Sequence, residues 1–358
     1  MPPSRVFSNV GVNILLKRSL ASVEIFHTAL PDLLAFAFVL LGYPIGVYFL
    51  FSNAWLINLF GLLLTAEALI ISAYLIHEFS HWSIFKSPKV NERWANVMAW
   101  INGSCYTTFQ AVRDQHMKHH VDRADVLNFN VQQLMSAMPA WIKAVIVALE
   151  WLYIPAFEIM MHFLVISLPF FKPQFHEKRL RILVTLALRV PLFVMMAWVS
   201  LKAWLLYLLA YCMMLTALRF ADAFQHTYDV FLKTDPKTSD GKFKDGKLRD
   251  RAYEQANTFS NLASIQHPWL NLLFLNFPYH NAHHEKPIVP WYKLPELHEK
   301  LYGDTTQLPV IPMAQLLKTY HCNRVKRVVS DDYGFITDGP HGADQFIGGV
   351  GVSFLTAI

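Results

Sequence analysis

The stretch WLINLFGLLLTAEALIISAYLIHEFSH, Trp55 to His81, carries two signals in one segment. Its first part, Trp55 to Ile76, supplies the roughly 20 mainly apolar residues that a membrane-crossing helix needs. Its end, His77-Glu78-Phe79-Ser80-His81, sets two imidazoles four positions apart, which puts both on one helix face. A span that delivers paired histidines at its end is a scaffold for a metal. Leu33 to Phe51 is a second such run, and the uncharged link Ser52-Asn53-Ala54 makes the two a hairpin. Ile182 to Leu201 and Trp204 to Ala221 form another pair, joined near Lys202, with Pro191 a tolerable kink. Arg189 reads as the one charge well inside a span, and it must face the bundle or snorkel. Four spans place both termini on one side.

Composition agrees with this reading. The 358 residues are 54% hydrophobic and only 16% charged, against about 25% charged in soluble proteins. The mean hydropathy is +0.28. The expectation is an all-α membrane protein, with four transmembrane helices in two hairpins, interfacial helices and a cytosolic cap. Basic residues flank the apolar runs (Lys17, Arg18; Lys86, Lys89, Arg93; Lys172, Lys178, Arg179, Arg181). This pattern fits positive-inside topology and not nucleic-acid binding. Cys105, Cys212 and Cys322 are odd in number and lack CxxC spacing, so neither a disulfide framework nor a thiolate metal site is expected. No cleaved signal peptide is expected around Val10 to Leu16.

Between the two pairs of spans, Trp94 to Phe109 and Met138 to Phe171 are apolar but interrupted, the second by Lys143, Glu150, Glu158 and His162. The first reads as a buried or interfacial helix, the second as interfacial helices with a further hairpin as the alternative. Lys233 to Arg251 reads as a solvated loop, with turn signals at Asp235-Pro236, Asp240-Gly241 and Asp245-Gly246. Ala252 to Gln266 can be helical. The expected division is an N-terminal cytosolic segment 1–32, a catalytic membrane unit 33–306 and a peripheral tail 307–358.

Two further histidine boxes follow the first: His116-Met117-Lys118-His119-His120 and His280-Asn281-Ala282-His283-His284. If each is helical, each should present its ring nitrogens in one direction. Eight imidazoles are too many for one first-row ion, so at least two metals are implied. His226, at the inner end of the fourth span, is a ninth candidate, with Asp222 one helical turn before it as a ligand or an outer partner. Asp122 and Asp125 can accept the far N–H of a bound imidazole or simply meet solvent. His27, His162, His176, His267, His298, His321 and His341 have no partner at helical spacing and read as surface or satisfied core residues.

His77-Glu78-x-x-His81 also fits HExxH, where two histidines hold zinc and the glutamate is the general base of an intramembrane protease. That reading leaves His116, His119, His120, His280, His283 and His284 without a role.

The boxes, with the isolated His226 after the last span, resemble the integral-membrane fatty acid desaturase family over roughly Leu33 to Leu301. The resemblance assigns His77, His81, His116, His119, His120, His226, His280, His283 and His284 as metal ligands, and Asp222 falls where acyl-CoA desaturases have an asparagine. The Trp291-Tyr292-x-Leu294-Pro295 run resembles a family feature whose physical content is a turn packing near the interface. The resemblance implies two iron ions, O2 as oxidant, and removal of two hydrogens from a lipid acyl chain to make a cis double bond. Related hydroxylases and acetylenases share the boxes. The chain has no GxGxxG after a strand, no cysteine cluster and no His-Pro-Gly-Gly haem motif. Electrons are therefore expected from a separate carrier of ferredoxin or cytochrome b5 type. The active site is expected on the cytosolic face of a multi-pass protein.

Overall fold

The computed structural model describes residues 29–127, 131–232, 235–238, 241–303, 309–330, 332–337 and 341–349. Most of the 1–32 segment, with His27, lies outside them. Four helices are long and apolar enough to cross a membrane: α1 (Leu30–Leu50), α2 (Trp55–Ser80), α8 (Arg179–Val199, led in by the 3-10 turns Pro173–Lys178) and α9 (Leu201–Ala223). These are the four expected spans. Between them come α3 (Pro88–Asn102), α4 (Phe109–Asp122), α5 (Val131–Ala137), α6 (Ala140–Trp151) and α7 (Ala156–Phe171). After α9 follow α10 (Arg251–Ala256), α11 (His280–Glu285), α12 (Leu294–Tyr302), α13 (Met313–Cys322) and α14 (Lys326–Val329).

α1 and α2 pack antiparallel at backbone contact. A Cβ on Gly46 would fall 2.6 Å from Thr65 Oγ1, and one on Gly61 would fall 2.7 Å from Phe49 Cβ. Small residues at this crossing let the helices approach where lipid gives no hydrophobic drive to associate. α2 is the central helix, buried along its second half from Ala68 to Ser80, and it packs on α1, α3 and α9. α8 is the outermost span; Leu192, Val194 and Trp198 project outward, as lipid but not water tolerates. Glu67 lies within α2, so Arg189 is not the sole charged residue inside a span.

The two interrupted stretches are helical as expected, with the second broken at Leu152–Pro155 into α6 and α7. A buried ionic group ties this pair to α9: Arg219 donates to both Glu150 and Glu158. α3 starts with Pro88 at its first turn and ends at Gly103 in the left-handed region (φ 89°), the arrangement proline and glycine favour at helix ends. α4 is capped by Thr108, whose Oγ1 accepts from Ala111 N at 3.2 Å.

One expectation needs correction. Only Arg251–Ala256 of the Ala252 to Gln266 stretch is helical; beyond it Thr258 pairs with His226 and Ser260 with Val310 in isolated bridges. Where it is described, the segment after Leu308 packs against the rest of the chain. Phe346 is fully buried against Phe224 and Phe259, Arg327 is buried and donates to Ile347 O, and Gly349 N bonds Ala223 O at 2.7 Å. The tail closes over the end of α9 through tertiary contacts that leave no periodic trace in sequence. The polar loop behaves as its turn signals indicate, with Gly241 and Gly246 at positive φ, but it is held down by Lys247 and Arg249 on Asp229.

Candidate metal centre

The helix ends bring all nine histidines together in two groups. His77, His81, His116, His120 and His283 form one; His119, His226, His280 and His284 form the other, and within each group the nearest ring nitrogens lie within 4.8 Å of one another. This corrects the expectation that each box points one way. In a helix, i and i+4 differ by about 40° and i+3 lies about 60° to the other side. In the second box His116 and His120 (i, i+4) therefore face the first group while His119 (i+3) turns to the second. The third box does the reverse: His280 and His284 join the second group and His283 the first. HxxHH is thus a spacing that serves two sites from one helix.

Backbone pairing sets the groups face to face. The strand after the second box, β1 (Asp125–Leu127), runs parallel to β2 (Val230–Leu232), which follows His226. Asp125 N bonds Asp229 O at 3.0 Å, which carries His119 to His226. Arg123, left-handed at φ 48°, ends α4 so that the chain can turn into β1.

Hydrogen bonds at Nδ1 decide where the imidazole protons sit. His119 Nδ1 lies 3.1 Å from Asp125, His284 Nδ1 lies 3.0 Å from Glu254, and His77 Nδ1 lies 3.2 Å from Glu78. Thr258 Oγ1 donates to Glu254 O, so it accepts from His226 Nδ1 at 3.3 Å. An oxygen at Nδ1 of each of these rings favours the proton there and a lone pair turned inward from Nε2. Yet His119 Nε2 and His226 Nε2 are 3.0 Å apart, and His280 Nε2 stands 2.8 Å from the latter. In the first group the His81–His116 and His120–His283 Nε2 pairs are 2.6 and 3.2 Å apart. Lone pairs held this close, as on His119 and His226, repel unless a cation lies among them. Separations near 3 Å are those of nitrogens about 2.1 Å from a shared ion. The Nε2 atoms of His77 and His284 are buried and have no hydrogen-bond partner, as a ligand atom facing a metal site would be. The residues fit a two-metal centre.

Burial pushes His81, His116, His120, His226, His280, His283 and His284 well below the usual histidine range, with neighbouring imidazoles adding to it. They remain neutral, the form that ligates.

The acidic candidates separate. Asp125 meets His119, whereas the carboxylate of Asp122 pairs with Lys237 at 3.0 Å. Asp222 Oδ1 is buried without a hydrogen-bond partner. The sequence reading missed Glu254, which is buried and receives Arg123, Arg251 and His284 together. The signal was present as Arg251 and Glu254 at i and i+3, but in a charge-rich stretch it reads as a solvated pair. Trp291 was also undervalued. Its backbone N–H donates to Glu78 and its indole Nε1 to Asp32, at 3.2 and 2.9 Å, which fastens the chain after the third box to both α1 and the first box.

Of the lone histidines, His176 bonds Arg179, His321 bonds Tyr153, and His341 is exposed near Asp344. His298 differs from the expectation of a satisfied core residue. It is buried between Tyr279 and Tyr302, and neither ring nitrogen has a partner. Burial pushes it down to about 4 from its ordinary 6.5. The unfolded chain takes up this proton first, so the stability that neutral His298 contributes is complete above about 6.5 and is lost as pH falls toward 4. Replacing His298 by leucine should narrow the gap between melting temperatures measured at pH 7 and pH 5. An unchanged gap would mean that His298 is not the acid-sensitive group.

No curated protein matches the chain. The fatty acid desaturase family matches it over residues 53–311, a region that holds all nine histidines, and the chain belongs to that family.

Proposed function

We propose that the chain is an O2-dependent fatty acyl desaturase with two iron ions, one held by each histidine group. The observation that carries this reading is the convergence of five and four buried or half-buried histidines inside a chain of the desaturase family. Iron in a nitrogen-rich site supplies the oxidising power toward O2 and an unactivated C–H bond that ordinary side chains lack. His77, His81, His116, His120 and His283 would hold one ion, and His119, His226, His280 and His284 the other. Glu78, Asp125, Thr258 and Glu254 keep protons on Nδ1, so every ring they touch offers Nε2. The apolar spans admit the lipid chain and exclude water from the reacting carbons. Residues 33–306 act as one catalytic unit, with the centre on the cytosolic side. Electrons arrive on a separate ferredoxin or cytochrome b5 type carrier. Hydroxylation or acetylene formation is the second reading, because both use the same ligand set.

The HExxH protease reading asks Glu78 to activate a metal-bound water. Glu78 is instead occupied by His77 Nδ1, Ser83 Oγ at 2.8 Å and Trp291 N. In Glu78→Gln the amide oxygen still accepts from His77, and only the amide nitrogen meets donors it cannot satisfy. At least about a tenth of lipid oxidation should remain, the mild end of what outer partners cost. A peptidase would lose several orders of magnitude. Turnover of labelled acyl substrate in membranes with a matched donor makes the comparison, and abolition at normal metal content would reopen the zinc reading. Mass spectrometry of lipids from a host expressing the chain tests the reaction itself. New double bonds support desaturation, hydroxy or acetylenic chains support the second reading, and unchanged lipids with a reduced carrier present count against both.

A further inference from the structure

Arg189 lies ten residues into α8, about 15 Å along its axis, near the middle of a hydrocarbon layer about 30 Å thick. It is 9% exposed. Its Nη1 donates to Trp100 O at 2.6 Å and reaches Cys105 Sγ at 3.7 Å. Trp100 is in the last turn of α3, whose final carbonyls lack partners within the helix, so this bond caps a helix C-terminus. It does not neutralise the cation. The acidic groups around Arg189 are the Cys105 thiol and the phenols of Tyr207, Tyr106 and Tyr43, and no carboxylate pairs with it among the described residues. A membrane-buried cation without a counter-ion is costly and marks a functional site by default.

Beside the guanidinium is a cavity of about 490 Å³, within the range of small-molecule sites. Its polar end is Arg189 with Tyr43 and Tyr207, whose hydroxyls lie 3.1 Å apart; one proton of that pair stays free to donate outward. The rest of the wall is apolar, formed by Val47, Phe51, Leu192, Met195, Met196 and Val199. From Arg189 to Val199 the groove follows α8 for another ten residues, about 15 Å, toward the end of the bundle opposite the histidines. Leu192, Met195 and Val199 are exposed along its rim, so it is open sideways to lipid.

We propose that this groove binds a free long-chain fatty acid, with its carboxylate on Arg189 and its alkyl chain along α8. A single chain suits the width and length of the apolar wall, and a carboxylate is the charge that the site lacks. A glycerophospholipid keeps its anionic head at the bilayer surface, about 15 Å from Arg189. An ester or alcohol of the same chain fills the groove but leaves the cation unpaired. The inference does not depend on the histidine groups or on any metal.

The test uses the purified full chain in nanodiscs of neutral lipid, with palmitic acid, methyl palmitate and hexadecanol as probes. Saturable thermal stabilisation by the acid is expected, at concentrations at least about tenfold lower than for the ester or alcohol, the discrimination one charge-assisted pair gives. Arg189→Gln should erase the preference for the acid. Met196→Trp, which fills the groove away from the cation, should remove the response to all three probes. Equal stabilisation by acid and ester on the parent chain overturns the proposal, as does an undiminished acid response in Met196→Trp. Should Arg189→Gln fail to fold once Trp100 O loses its donor, the parent comparison and Met196→Trp still decide.

Discussion

Alanine at His226 should reduce bound metal from two ions to one per chain and cut turnover by at least about a hundredfold, the upper end of what losing even an outer partner costs. His226 is the only member of the second group that comes from outside the three boxes, and it stands 3.0 Å from His119 and 2.8 Å from His280. Without it, three histidines face an ion alone. The fold should change little. His226 is half-buried just beyond the end of α9, and outside the histidines its ring meets Thr258 and the Asn257 backbone, bonds worth about 1 kcal/mol each. Metal analysis after iron reconstitution, read beside helical circular dichroism, separates loss of a ligand from unfolding. His341, exposed and remote, is a better control than His298, whose alanine variant would leave a cavity between two tyrosines. Metal content unchanged in His226→Ala would show that the second group is not a site.

The nine histidines that converge were legible because most of them are written in local spacing. HxxxH and HxxHH report helix faces, and a single apolar run reports a span, so no knowledge of distant contacts was needed. The division of the nine into five and four was not legible. It depends on how α4, α11 and His226 face one another across the site, and the β1–β2 ladder and the turn at Arg123, which join the end of α4 to the chain after His226, link residues more than 100 positions apart. Asp125 and Asp122 show the same limit. Both follow the second box closely, yet one meets His119 and the other Lys237, because the chain reverses between them. Glu254 and Trp291 lie far in sequence from what they hold, and the apolar tail around Phe346 acquires meaning only against Phe224. Polar groups that position others leave no periodic signal.

Glu254→Ala should be the most damaging change at a residue other than the nine histidines. One carboxylate oxygen takes the Nδ1 proton of His284, and the other receives Arg123 and Arg251 at 2.7 and 2.6 Å. Both oxygens are engaged, which is why Glu254 acts as a positioning residue although it lies close enough to His120 and His284 to be a ligand. Removing it leaves Arg123 near the centre without a counter-charge and Arg251 with Glu285 alone, at 3.3 Å. Stripping one partner from a fully buried pair costs about 3–5 kcal/mol. Here Arg251 is 46% exposed and keeps Glu285, and Arg123 is 26% exposed, so solvent screens part of the loss and about 2 kcal/mol is expected. The second effect is on the metal. With no acceptor at Nδ1, His284 can carry its proton on Nε2 and lose the lone pair that faces the site, and affinity at the second group should fall about 10- to 100-fold. Glu254→Gln separates the two effects. Its amide oxygen can still accept from His284 while the charge is gone, so stability should drop nearly as far but metal affinity should largely return. Iron titration and thermal melts on the same three proteins make the comparison. If glutamine and alanine weaken iron binding equally, the His284 hydrogen bond is not what holds the ring.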